Sequence, residues 1–179
     1  MFDPLFSLQG KRTLITGGAG SLGTLIAHSF AERGALVTVQ DLDKARVDAV
    51  KDSIVKNREN VFTIAADLSS ASECKVVVEE ANQLMGGLDI VINTAGINRR
   101  KPISEVTEDD FDAIVSVNMK AIYFISQAAH PIMKAAGGGV IVNMSSLSAR
   151  YSFNTISVYA ATKAAVSSIT RSTAREWAK

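Results

Sequence analysis

Tyr159 and Lys163 stand four residues apart in the run Tyr159-Ala160-Ala161-Thr162-Lys163. On a helix that spacing puts both side chains on one face, able to reach one point. A phenol beside an ammonium has a chemical use. An unperturbed tyrosine releases its proton only near pH ~10, too high for an efficient base at neutral pH. An ammonium about 4 Å away, at an effective dielectric of about 20, is worth roughly 4 kcal/mol, or about three pK units. Ser146, thirteen residues before Tyr159, adds a hydroxyl able to hold a substrate oxygen in place. Taken alone, a Tyr-x-x-x-Lys pair equally fits a packed ring beside a solvated amine.

A second cluster supplies what such a pair would act with. Gly17-Gly18-Ala19-Gly20-Ser21-Leu22-Gly23 joins an apolar run to a helical pattern. A glycine-rich turn there lets the backbone approach a pyrophosphate, whose charge is met by free N–H groups and the helix dipole. A tight strand-to-helix connection is the competing explanation. Asp41 follows 18 residues after Gly23, close to the roughly 20-residue spacing at which a carboxylate meets ribose hydroxyls. It would repel a 2′-phosphate, and no Arg or Lys lies in the glycine loop or immediately after the second strand, Lys44 being the nearest. NAD is therefore expected over NADP. Asp41 can also cap a helix together with Asp43, and Asp67 is either a cap or a contact to adenine.

The elements that must position these groups alternate short apolar runs with longer periodic ones, the α/β pattern. Strands are expected at Thr13–Thr16, Leu36–Gln40, Val61–Ala65, Ile90–Asn93 and Val140–Met144, apolar throughout as strands buried on both faces should be. Gly34 should end a helix begun near Ser21. Ser70 with Glu73 reads as a capping box, and Thr107 with Asp109 and Asp110 as a third helix start. Right-handed crossovers then give one doubly wound, Rossmann-like parallel sheet, which binds ligands beyond the carboxyl ends of its strands. All five runs end in polar or glycine residues: the glycine loop, Asp41, Asp67, Asn93-Thr94-Ala95-Gly96, and Ser145-Ser146.

At 179 residues the chain is long enough for one sizeable core and short for two domains. Nineteen basic against eighteen acidic residues leave no imbalance that would draw it to nucleic acid or anionic lipid. A lone Cys74 admits no internal disulfide or cysteine zinc cluster; it reads as a buried small hydrophobe, and no metal site is expected. No run of about 18 apolar residues appears and Met1 to Lys11 has no signal pattern, so a soluble cytoplasmic protein without membrane contact is expected. His28 and His130 receive no chemical role.

These motifs together resemble the short-chain dehydrogenase/reductase family: the Thr-Gly loop, the Asn-x-Ala-Gly element, Asn118, and Ser146, Tyr159 and Lys163 at their mutual spacings. The resemblance runs from about Leu8 to Lys179. It implies that Tyr159 is the acid/base, that Ser146 positions the carbonyl or hydroxyl, and that Lys163 lowers the tyrosine pKa and binds the nicotinamide ribose. Asn118 would hold a water linking Lys163 to solvent; outside the family pattern it would read as a polar residue bending the helix after Thr107. Implied cofactor contacts are Gly17, Ser21, Leu22, Gly23, Asp41, Asp67, Leu68, Asn93, Ala95, Gly96, Tyr159 and Lys163. Ser21 stands where the family has Gly, and Thr94 where it usually has Asn.

Arg99-Arg100-Lys101 follow the fourth strand, beside the crevice. Guanidinium forks suit a carboxylate, although a solvated basic loop has the same composition. The opening run Leu5-Phe6-Ser7-Leu8-Gln9-Gly10-Lys11 and the paired arginines resemble gluconate 5-dehydrogenases and related deoxygluconate dehydrogenases. A secondary hydroxyl of a sugar acid such as gluconate is the expected substrate, with Arg99 or Arg100 on its carboxylate. Two other functions remain open: a 3-oxoacyl carrier-protein reductase or other carbonyl reductase of the family, and a non-catalytic nucleotide-binding or interaction module. The run Arg175-Glu176-Trp177-Ala178-Lys179 stops inside a helical pattern, which predicts a domain lacking its last strands and leaves the fifth strand an open edge. A homodimer or homotetramer is expected of the full-length protein.

Overall fold

The computed structural model describes residues 4–54 and 58–178. Met1–Asp3 and Lys179, at the ends of the stretch read above, lie outside them. Five strands, β1 (Arg12–Thr16), β2 (Leu36–Asp41), β3 (Val61–Ala65), β4 (Ile90–Asn93) and β5 (Val140–Asn143), form one parallel sheet in the order β3-β2-β1-β4-β5. The order reverses between β1 and β4, the switch point at which such sheets open a crevice.

The strands fall where Val, Ile and Leu runs put them, because interior strands of a parallel sheet carry apolar side chains on both faces. Leu14 and Val91 project to one face, against Val77, Val78 and Ala81 of α3 (Ala71–Met85) and Ile125 and Ala129 of α5 (Ala121–Ala135). Ile15, Val37, Val39 and Ile92 project to the other, against Ala27 and Ala31 of α1 (Ser21–Glu32) and Val47 and Val50 of α2 (Lys44–Ser53). Burial on both faces fails at the sheet margins. Among the described residues β5 pairs only with β4, and Val140 and Val142 are 56% and 42% exposed.

The helix starts follow the expected capping chemistry. At Ser70 only half of the expected capping box is seen, Ser70 Oγ accepting the Glu73 N–H (3.2 Å), while the full reciprocal box lies at α4 (Glu108–Val115), between Thr107 and Asp110. Asp43 caps α2. Gly34, at φ +86°, turns the chain out of α1. Between α4 and α5 the rod passes through one π-helical turn, Ser116–Lys120, and α6 (Ser157–Trp177) packs against α4. No helix among the described residues is long and apolar enough to cross a membrane.

Far from the crevice, Arg12 and Asp89 bolt β1 to the entry of β4. The Asp89 carboxylate accepts from the Arg12 backbone N–H (2.9 Å), Nε (2.8 Å) and a terminal guanidinium nitrogen (2.8 Å). That fork holds the Asp89 carboxyl down at about 2.

Candidate active site

At the carboxyl ends of the strands, Thr16, Asn93 and Asn143 lie in register. Thr16 Oγ1 donates to Asn93 Oδ1 (3.3 Å), and Asn93 Nδ2 donates to Asn143 Oδ1 (2.8 Å). The buried Asn93 side chain thus stitches the strand ends together. Thr94 extends the stitching: its hydroxyl donates to the carbonyls of Thr16 (2.6 Å) and Gly17 (3.2 Å).

The glycine loop is packed to the limit of its backbone. Gly17 has φ +63°, and a Cβ there would lie 2.5 Å from Ala95 Cα; a Cβ at Gly23 would lie 2.5 Å from the Gly17 carbonyl oxygen. Only glycine fits either position. Gly20, the residue preceding α1, has no side chain to cap it, so the first-turn N–H groups at Ser21, Leu22 and Gly23 receive no side-chain cap. An uncapped helix start at a sheet's switch point is what a dinucleotide pyrophosphate requires, and the residues present fit that group.

Asp41 Oδ2 accepts the Ala19 N–H (3.1 Å) and Oδ1 the Leu42 N–H (2.8 Å), so its carboxylate is fixed against the glycine loop. The sequence missed a cation here: an Arg46 guanidinium nitrogen donates to the Ala19 carbonyl (2.7 Å). One turn into α2, Arg46 reaches the loop although it is not adjacent to β2. Asp67 accepts the Ser69 N–H (2.9 Å) in a local turn, and Leu68 is buried, its carbonyl accepting from the Cys74 thiol. Burial pushes that thiol up to about 11.

On the other side of the switch point, Lys163 is buried and its Nζ donates to the Met144 carbonyl (2.9 Å), two residues before Ser146. The same Nζ lies 5.6 Å from the centroid of the Tyr159 ring. Desolvation pulls the Lys163 pKa below its ordinary value. Gly96 packs beside both Lys163 Nζ and Asn118 Oδ1. Asn118 sits in the π-helical turn, fully buried; its Oδ1 accepts the Ile97 N–H (2.8 Å) and its Nδ2 donates to the Ile97 carbonyl (2.9 Å). Its amide therefore clamps the loop after β4. The wide turn, which lets the amide reach Ile97, is a common mark of functional helices.

Ser148 is a residue the sequence reading passed over. Its N–H (3.2 Å) and its hydroxyl (2.9 Å) both donate to Ser146 Oγ. Those two bonds fill the acceptor sites of Ser146 Oγ and leave its O–H as the group to offer a ligand. Ser-x-Ser spacing was the only available signal.

The cations of the β4–α4 loop do not behave alike. Arg99 is engaged by Asp109 (2.5 Å) and Asp110 (3.3 Å), and Lys101 by Asp110 (2.5 Å). Arg100 is exposed and forms no ion pair among the described residues. Of the three cations expected beside the crevice, Arg99 and Lys101 are ion-paired and Arg100 has no ion pair among the described residues. A separate groove of about 720 Å³ opens along the β5 edge, bordered by His130, Met133, Val140, Thr173 and Trp177. It lies away from Tyr159 and Lys163. His130 stacks on Trp177 there, and His28 pairs with Ser53, so neither histidine meets the crevice.

The chain belongs to the short-chain dehydrogenase family, whose model matches residues 11–179. It is 34% identical over 178 residues to a tropinone reductase homolog of Arabidopsis thaliana, covering 99% of this chain and 68% of that one. It is 32% identical to the 5-keto-D-gluconate 5-reductase of Escherichia coli K12, covering 99% and 70%. Its fold is similar to a 3-ketoacyl-(acyl-carrier-protein) reductase from Brucella melitensis complexed with NADH (TM-score 0.90, 35% identity, 96% of this chain and 71% of that one). It is also similar to a gluconate 5-dehydrogenase from Burkholderia cenocepacia in complex with NADP and tartrate (TM-score 0.88, 31% identity, 97% and 68%). The protein is thus an oxidoreductase of the class that acts on CH–OH groups with a nicotinamide cofactor, and the chain spans about two thirds of the length of these relatives.

Proposed function

We propose that residues 1–179 form the dinucleotide-binding and catalytic domain of an NAD(H)-dependent enzyme that interconverts a secondary hydroxyl and a ketone on a sugar acid such as gluconate, in a cytoplasmic homodimer or homotetramer. The observation that carries the sugar-acid reading is Arg100, an unpaired guanidinium on the loop that begins at Gly96 beside Lys163. Similarity to a 5-keto-D-gluconate 5-reductase supports it. Asp41, fixed against the glycine loop, favours ribose hydroxyls over a 2′-phosphate. Arg46 supports the second reading, acceptance of NADP, since its guanidinium stands at the same loop.

When bound, the nicotinamide takes up or supplies the hydride and its two electrons. In the oxidising direction the Tyr159 oxygen, as phenolate, accepts the proton of the substrate hydroxyl as the carbinol C–H bond breaks; in reduction it returns that proton to the ketone oxygen. Ser146 donates its free O–H to the same oxygen and fixes its position. Lys163, held by the Met144 carbonyl, keeps its Nζ 5.6 Å from the centroid of the Tyr159 ring, beside the group that exchanges the proton.

The test is titration of NADH and NADPH into the purified protein, followed by absorbance assays over polyols, aldonates and ketones with Arg99→Ala and Arg100→Ala alongside. Aldonate turnover with a Michaelis constant raised roughly tenfold or more by Arg100→Ala is expected, on the scale of one charged hydrogen bond. Unchanged constants in both variants would remove the carboxylate assignment. Turnover confined to carrier-linked ketones would transfer the reading to a carrier-protein reductase, and cofactor binding without any turnover would favour the non-catalytic module.

A further inference from the structure

The loop after β4, residues 94–107, and the loop after β5, residues 144–156, meet through one backbone bond. The Lys101 N–H donates to the Thr155 carbonyl (3.0 Å). Thr155 has φ +66° and is the one non-glycine residue with positive φ among the described residues. A β-branched side chain is disfavoured in that conformation, so the neighbouring structure must hold it there. It lies four residues before Tyr159 and two before Ser157, the first residue of α6.

What holds Lys101 is Asp110. The Asp110 side chain is only 6% exposed, yet it gathers four donors: Lys101 Nζ (2.5 Å), Thr107 Oγ1 (2.9 Å), the Thr107 N–H (3.1 Å) and Arg99 (3.3 Å). A capping box needs only the Thr107 bond. The two cations are additional; Lys101 first, then the Thr107 N–H and hydroxyl, hold the Asp110 carboxyl well below its ordinary range, with Arg99 adding least. Residues 97–101 are consequently fixed at both ends, at Ile97 by Asn118 and at Lys101 by Asp110.

We infer that Asp110 is a positioning residue for the catalytic edge: through Lys101 it holds the left-handed turn at Thr155 and so sets where α6 presents Tyr159. The inference rests on the reading of Tyr159 as the acid/base. Its test is independent of turnover, so the failure of either can be told from the failure of the other.

The experiment is hydrogen exchange by mass spectrometry on the whole chain, parent against Asp110→Asn and Lys101→Met. Asn retains a carbonyl oxygen for the Thr107 N–H, so the cap survives while the ion pair is lost. Exchange about tenfold faster in peptides covering 97–106 and 150–158, with residues 12–41 unchanged, is expected in both variants. Changes confined to 105–115, or no change, would overturn the inference, because a helix cap alone would do no more. If Asp110→Asn loosens the whole sheet, Lys101→Met decides: faster exchange at 150–158 supports the coupling and unaltered exchange there refutes it.

Discussion

Asp89→Asn is the perturbation whose size follows most directly from the structure. The Asp89 carboxylate accepts three hydrogen bonds from Arg12 and titrates near 2 instead of its ordinary 3.8. A depression of that size corresponds to about 2–3 kcal/mol. The Arg12 and Asp89 side chains are 26% and 22% exposed, so solvent screening trims this to about 2 kcal/mol. Because the folded-state value is the lower one, the unfolded chain takes up the proton first as the solution is acidified. The stabilisation is therefore full above about pH 4 and is lost as the pH falls towards 2. Urea unfolding followed by circular dichroism should show Asp89→Asn less stable by about 2 kcal/mol at pH 7, a midpoint lower by ~1 M. The gap between parent and variant should narrow steadily below pH 4. A gap of the same size at pH 7 and pH 3, or none at neutral pH, would refute the reasoning that this ion pair locks β1 to β4.

Two further outcomes concern the crevice. Gly23→Ala places a Cβ 2.5 Å from the Gly17 carbonyl and 2.6 Å from Gly18 Cα. The glycine loop must shift against rigid backbone, so the unfolding midpoint should fall and calorimetric NADH affinity should drop by roughly tenfold or more. Tyr159→Phe and Ser146→Ala should each lower kcat/KM by about a hundredfold or more, with the dissociation constant for NADH within about twofold of the parent. A loss of cofactor affinity equal to the loss in rate would assign these side chains to binding instead of chemistry.

The sheet was legible because five apolar runs, each closed by glycine or a polar residue, permit few alternatives to a parallel doubly wound arrangement. The glycine loop and the Ser146, Tyr159 and Lys163 set were legible for a similar reason: their signals are local spacings. What escaped was set by contacts between side chains far apart in sequence. Arg99 is paired by carboxylates ten and eleven residues later, so its composition as part of a basic run said nothing about its availability. Arg46 reaches Ala19 from the opposite end of a helix turn. Ser148 looked like any loop serine until its two donors were seen to converge on Ser146. The clamp between the Asn118 amide and Ile97, 21 residues apart, left no local signal either, although burial demands that both polar atoms of an amide be satisfied.

The wide turn at Ser116–Lys120 has a consequence for the whole rod from α4 to α5. An α-helix advances about 100° per residue, and a π-turn takes in one residue more than that rhythm allows. Upstream, Asp110 and Ile114 face inward in one phase; downstream, Ala121, Ile125 and Ala129 face α3 in another. Removing a single residue between them would straighten the count, and either Asn118 would swing off Ile97 or the stripe on α5 would rotate by about 100° out of the core. The turn acts as a phase shifter. It allows the loop-facing half and the core-facing half of one continuous rod to be retuned separately, without the angular setting of one being dictated by the other.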